Sequence, residues 1–99
     1  MPLTLCVLLW PVDGQEASLS AYEDEVLALI PEHGGTVLSR VRRVGGDRDQ
    51  PYEVQLIELP DQAALESYQA DPRRTALAGL RDQAIARTDV IPVTPTTGD

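Results

Sequence analysis

The segment Leu3 to Val12, L-T-L-C-V-L-L-W-P-V, is apolar on both parities of an extended chain. Leu3, Leu5, Val7 and Leu9 fall on one side, and Cys6, Leu8 and Trp10 on the other. Successive strand residues point to opposite faces of a sheet. A run apolar on both parities therefore reads as a central strand that needs cover above and below. Pro11 ends it or makes it irregular, and Asp13-Gly14 signals a turn.

The rest of the chain supplies the partners for that strand. From about Ser18 to His33, apolar Leu19, Tyr22, Val26, Leu29 and Ile30 follow helical spacing. Ser18 and Ser20 compete as N-caps, and Glu23, Asp24 and Glu25 sit where the positive end of the helix dipole favours acid. Pro31 and Gly34-Gly35 end the helix. Thr36 to Val44 and Tyr52 to Leu59 read as strands around a polar loop, hence a hairpin. Asp61 caps a following helix, with Ala64, Leu65 and Tyr68 on its inner face. Asp71, with Pro72 at the first helical position, restarts it, and Ala76, Leu77, Leu80 and Ala84 continue the stripe. Thr88 to Val93 reads as a last strand. The order is β-α-β-β-α-β, an α+β ferredoxin-like arrangement. It predicts a four-stranded antiparallel sheet with two helices on one face, the second helix broken near Asp71-Pro72. At 99 residues the chain has length for one domain. Residues 1–94 are assigned to it and 95–99 to a flexible tail.

Two helices shelter one face of such a sheet. The second apolar row of Leu3 to Val12 then predicts a homodimer in which two sheets pack face to face, the alternative being a half-wetted or ligand-covered monomer. At about 25 cal/mol per Å² of apolar area, covering several such side chains is worth several kcal/mol. In the hairpin, the more apolar sets are expected to face the helices. That places Arg40, Arg42, Glu53 and Gln55 on the far face, with Arg42 opposite Glu53 and Arg40 opposite Gln55.

Charge and composition narrow the function. Sixteen acidic residues against eight basic ones give a net charge of -8, a field that repels phosphate backbones. Nucleic acid is not an expected partner. All the basic residues are Arg, so Schiff-base chemistry on a lysine side chain is excluded. A single Cys6 excludes an internal disulfide, and a single His33 excludes a two-histidine metal site within one chain. No run of about 18 apolar residues suggests a membrane span. The N-terminus lacks a basic n-region and an A-x-A site, so a cytoplasmic protein is expected. Phosphate-loop, zinc-protease, C-x-x-C and G-x-S-x-G motifs are absent from the sequence.

Three features together resemble a known group. These are the β-α-β-β-α-β order, the helix-ending H-G-G of His33 to Gly35, and I-E-L-P-D-Q-A-A-L-E-S-Y-Q-A-D-P-R-R from Ile57 to Arg74. They resemble the dimeric α+β barrel superfamily, and within it the small bacterial members of unassigned function. In those members a strand ends in a phrase like E-F-P, and the next helix carries an aromatic shortly before a proline, here Tyr68 and Pro72. The resemblance implies a homodimer and a pocket between sheet and helices or near the barrel interior. The superfamily includes cofactor-independent monooxygenases, muconolactone isomerase-like enzymes, haem-degrading enzymes and chlorite dismutases. None of their catalytic signatures is legible, so no catalytic residue is carried over.

Eight side chains are candidates for contact with a ligand. His33 can exchange protons near neutral pH, yet beside Gly34-Gly35 it reads first as a helix C-terminal cap. Arg40 and Arg42, with Glu53 and Gln55, can hold a carboxylate or an oxygen-rich molecule, or pair across strands. Tyr22 and Tyr68 pack on the inner helix faces, where each can lend a hydroxyl to a pocket. Trp10 ends the central strand, at a pocket mouth or at the dimer rim. Cys6 reads as an inert buried thiol. No metal and no cofactor is expected. Two functions remain open. One is a small homodimer that binds or converts a small organic molecule, in the manner of a monooxygenase or isomerase. The other is a non-enzymatic dimeric binding or stress-associated module. An apolar cavity of about 300 Å³ or more, reached by Arg40, Tyr22, Tyr68 or His33, favours the first.

Overall fold

In the computed structural model, residues 2–96 are described. β1 (Leu3–Pro11) leads into α1 (Glu16–Leu27) and a 3-10 turn (Ile30–His33). The hairpin β2 (Thr36–Arg42) and β3 (Glu53–Leu59) follows. Three short helices, α2 (Gln62–Gln69), α3 (Pro72–Thr75) and α4 (Ala78–Ala84), then run into β4 (Ile85–Val93). The strands form one antiparallel sheet in the order β2-β3-β1-β4, with the helices on one face. This is the expected ferredoxin-like topology, including the break at Asp71-Pro72. Of the tail expected at 95–99, residues 97–99 lie outside the described residues.

Local chemistry explains most boundaries. Asp61 Oδ1 accepts from the Ala64 amide at 2.8 Å and Asp71 Oδ1 from the Arg73 amide at 2.9 Å, the two N-caps read from the sequence. α1 differs. It starts at Glu16 behind Gln15, which makes no side-chain cap, so Ser18 and Ser20 lie inside the helix. The 3-10 turn closes on Gly34 at φ 79°, a left-handed position that glycine adopts without strain. Gly35 answers a different need. A Cβ there would sit 2.6 Å from the Glu58 carbonyl oxygen and 2.7 Å from Leu59 Cδ2.

Leu5, Val7 and Leu9 of β1 form the floor of the core, under Leu19, Tyr22, Val26 and Ile30 and beside Ile57 and Tyr68. Each large apolar side chain buried in this way contributes about 1.5–3 kcal/mol.

The hairpin corrects one expectation. Arg42 does pair with Glu53 and Arg40 with Gln55, but on the helix-covered side of the sheet. Glu53 is 0% exposed and Gln55 1%. Two physical causes act together. The register of β2 shifts between Val37 and Ser39, and a one-residue bulge flips every later side chain to the other face. The buried polar groups also satisfy one another, which removes the penalty that polarity counting assumes.

The open face is correspondingly more apolar than expected. Alternation places Cys6 and Leu8 of β1, Val54 and Leu56 of β3, Val41 of β2 and Ile91 of β4 there. Val41 is 56% exposed and Ile91 47%, so this surface has no cover among the described residues. The two edge strands are irregular: β2 carries its bulge, and β4 includes Pro92, which has no N–H.

Candidate functional site

A cleft of about 70 Å³ lies between sheet and helices. Its walls include Leu5, Val7 and Leu9 of β1, Gln55 and Ile57 of β3, Glu23 and Val26 of α1, and Tyr68 of α2. Arg74, Arg81 and Thr88 complete it from α3, α4 and β4. Apolar floor and polar rim thus come from every layer of the fold, so the helices must dock before the cleft exists.

Beside it lies a buried polar row. Gln55 Nε2 donates to Glu23 Oε1 at 2.8 Å and to Glu53 Oε2 at 2.6 Å. Glu53 also accepts from Arg40 Nε at 2.7 Å and from Arg42 Nε at 3.2 Å. Arg40 reaches up to Asp24 and to the Ser20 carbonyl on α1, tying the strand pair to the helix. Burial pushes the Glu23 carboxyl above its ordinary value of 4.5; the Gln55 hydrogen bond opposes that shift and the nearby Glu53 charge adds to it.

Both tyrosines are buried, as expected from their helix faces. Burial pushes the Tyr68 hydroxyl up to about 12, with the Arg74 charge pulling the other way. Burial raises Tyr22 as well, again against Arg74. Each hydroxyl therefore keeps its proton at neutral pH and can donate. The Arg74 guanidinium lies 5.0 Å from the centre of the Tyr68 ring.

His33 sits just outside the cleft, edge-on to Tyr68 with ring centres 5.9 Å apart. Its Nε2 lies 2.8 Å from Asp71 Oδ2 and its Nδ1 3.1 Å from the Ser67 hydroxyl. Hydrogen bonds from Arg73, and then from His33, hold Asp71 well below the usual carboxylate range. Asp71 is thus an acceptor, Nε2 donates to it, and in the neutral ring Nδ1 accepts from Ser67. The histidine therefore fastens the 3-10 turn to α2 and α3 instead of capping helix carbonyls. With both nitrogens engaged, neither is open to an iron. Among the described residues no cluster of three or more His, Cys, Asp or Glu is placed to hold a metal.

Trp10 lies apart from this site. Its indole N–H donates to the Asp49 carbonyl at 3.0 Å, and Arg87 stacks over the ring at 4.4 Å. Of the eight candidates, Gln55 and Tyr68 line the cleft, and Glu53 joins it through Gln55. Arg40 and Arg42 support Glu53, Tyr22 and His33 flank the cleft, and Trp10 is elsewhere. Sequence reasoning missed Glu23, Arg74, Arg81 and Thr88. For Glu23 a signal existed: it falls four residues after Leu19 and three before Val26, a charge on the apolar stripe of α1. A second void of about 400 Å³ lies between α1 and α4, with Tyr22 in its wall. It meets the expected size, is reached by Tyr22 and has Ala21, Leu77 and Leu80 in its wall beside Gln15, Ser18, Glu25 and Gln83, but it lies away from the buried polar row.

The chain's fold is shared widely. A protein of unknown function from Rhodopseudomonas palustris superposes with a TM-score of 0.75 at 19% identity, over 97% of this chain and 83% of that one. A dabb family protein with a ferredoxin-like fold from Mesorhizobium loti gives 0.68 at 18%, over 96% and 97%. A dimeric protein of unknown function with a ferredoxin-like fold from Bacteroides fragilis gives 0.69 at 10%, over 93% and 94%. The class defined here is thus the ferredoxin-like α+β fold, and the protein is similar in fold to bacterial proteins of unknown function. No family model and no curated protein matches the sequence. No helix among the described residues is long and apolar enough to cross a membrane.

Proposed function

We propose that the protein is a cytoplasmic homodimer, joined through its open sheet faces, in which each protomer binds a small organic molecule in the cleft between sheet and helices. The observation that carries this reading is the Glu23-Gln55-Glu53 row. A core built only for stability gains nothing from buried carboxylates, because their desolvation is expensive and apolar replacements of the same shape serve as well. Polar groups placed in an apolar cleft are the usual means of orienting a ligand. The ligand is small, since 70 Å³ lies well below the roughly 300–1,000 Å³ of drug-sized pockets. Conversion of that molecule without a cofactor, by an oxygenase or isomerase reaction, is the catalytic form of the proposal. Glu23, next to two protonated tyrosines, is then the group for proton transfer. The acidic net charge argues against a nucleic-acid partner.

The alternative is a non-enzymatic dimeric binding or stress-associated module. It is favoured by the complete pairing of Glu53, which makes Arg40, Arg42 and Gln55 a structural brace. Native mass spectrometry of protein taken gently from its producing cell separates the readings. A dimer carrying a retained mass of small-molecule size supports the first. A dimer with no added mass that also binds nothing from a panel of small acids, alcohols and amides supports the second. A monomer would refute the assembly common to both.

A further inference from the structure

The protein's arginines divide into three groups: those paired with a carboxylate, Arg43, which donates to the Pro51 and Gly45 carbonyls, and the two in the cleft wall. Arg40, Arg42, Arg48, Arg73 and Arg87 each have a carboxylate within 3.2 Å, as an acidic chain readily provides. Arg74 has none among the described residues. It is half-buried in the cleft wall, lies against Tyr68, and its Nε–H is buried without an acceptor. Arg81 shares the wall; its nearest carboxylate, Asp82, is 4.0 Å away and mostly solvated, and its bond to Thr88 Oγ1 is long at 3.4 Å. The Tyr22 hydroxyl also lacks a partner, but Tyr22 lines the void between α1 and α4 and not this cleft. Its proximity to both guanidiniums is felt as a pull opposing its burial.

Buried donors without acceptors are costly, and a guanidinium matches a carboxylate in shape as well as charge. We infer that the cleft takes a short monocarboxylate, with its two oxygens on the Arg74 Nε–H and the Arg81 guanidinium. This rests on the reading of the cleft as a ligand site and names its chemical class. Two further features limit the ligand. The room is that of two or three waters at about 30 Å³ each, which suits acetate, glycolate or pyruvate. Glu23, turned to Gln55, leaves a negative end in the same cleft, so a dicarboxylate meets repulsion. Leu5, Val7 and Ile57 receive the carbon end.

The test is an NMR titration of the full chain, following the arginine Nε–Hε resonances. The probes are sodium acetate and sodium pyruvate, with acetamide, sodium malonate and sodium chloride alongside. Acetate and pyruvate are expected to shift the Arg74 resonance saturably. Acetamide and malonate should bind at least tenfold more weakly, and chloride should give no saturable shift. Arg74→Gln should weaken acetate at least tenfold with an unchanged thermal midpoint, Arg74→Lys should retain part of the affinity, and Arg81→Gln should weaken it several-fold. Equal binding of acetamide and acetate, or a folded Arg74→Gln that binds acetate normally, overturns the anion assignment while leaving the cleft a ligand site. If the Arg74→Gln variant does not fold, full acetate affinity in Arg81→Gln together with equal acetamide binding overturns it as well. No saturable shift with any probe overturns both readings.

Discussion

Gln55 and Glu23 meet at 2.8 Å in the interior, a strand amide against a helix carboxylate, neither more than 6% exposed. The contact couples the packing of α1 on the sheet to the ionisation of one buried acid.

That coupling gives a pH dependence with a definite sign. Burial raises Glu23 above its ordinary 4.5, so the folded state holds this proton more tightly than the unfolded chain. Its contribution to stability is full below 4.5 and declines as pH rises through the raised value. Asp71 behaves oppositely. Bonds from Arg73, then from His33, depress it below 3.8, so its contribution is full above 3.8 and is lost as pH falls. In thermal melts recorded across the acid-to-neutral range, Glu23→Gln is expected to flatten the decline on the alkaline side, and Asp71→Asn the one on the acid side. A Glu23→Gln profile identical to that of the parent protein would show that the acid ionises freely.

Arg40 and Glu53 form the strongest brace in the hairpin. Arg40→Met leaves a fully buried carboxylate with the more exposed Arg42 as its one cation and Gln55 as its other donor, and should cost about 3–5 kcal/mol. Replacing both, Arg40→Met with Glu53→Met, should cost less than the single change. Chemical denaturation of both variants and of Glu53→Met checks this by a double-mutant cycle; additive effects would sink it.

Leu8 and Leu9 are neighbours in sequence with opposite roles. Leu9 is 2% exposed in the core, while Leu8 faces outward with Leu56 and Ile91. Leu8→Asp should weaken the dimer by about 2–4 kcal/mol and leave each protomer folded. Leu9→Asp should prevent folding. Sedimentation velocity with circular dichroism distinguishes them, and an undiminished dimer in Leu8→Asp would falsify the sheet-to-sheet arrangement.

Two glycines should respond differently to alanine. At Gly35 the added methyl meets a backbone carbonyl at 2.6 Å, so Gly35→Ala should destabilise by about 1–3 kcal/mol. At Gly79, within α4, nothing lies within 4 Å, and Gly79→Ala should stabilise by about 0.5–1 kcal/mol. Denaturation midpoints decide; equal effects would contradict the close approach of the 3-10 turn to β3.

The topology was legible because it rests on strong, local signals: the two-sided apolar row of β1, the Asp61 and Asp71 caps, the helix-ending glycines. The polar side of the hairpin was not. Residues Val37, Ser39 and Val41 alternate cleanly in the sequence, and nothing in it announces the bulge that sends Val37 inward and the other two outward. The site was half legible for a related reason. Side chains from opposite ends of the chain meet there: Glu23 shows as a charge on the apolar stripe of α1, but nothing in the sequence sets Arg74 beside it until the helices are laid on the sheet.

The irregular borders of the sheet determine how molecules can meet. A kinked β2 and a proline-bearing β4 make poor templates for an incoming strand, so lateral growth into ribbons is discouraged. With its rims blunted and its flat side greasy, the pairing proposed above would stack once and stop, a geometry that would end in a pair and not in a fibre.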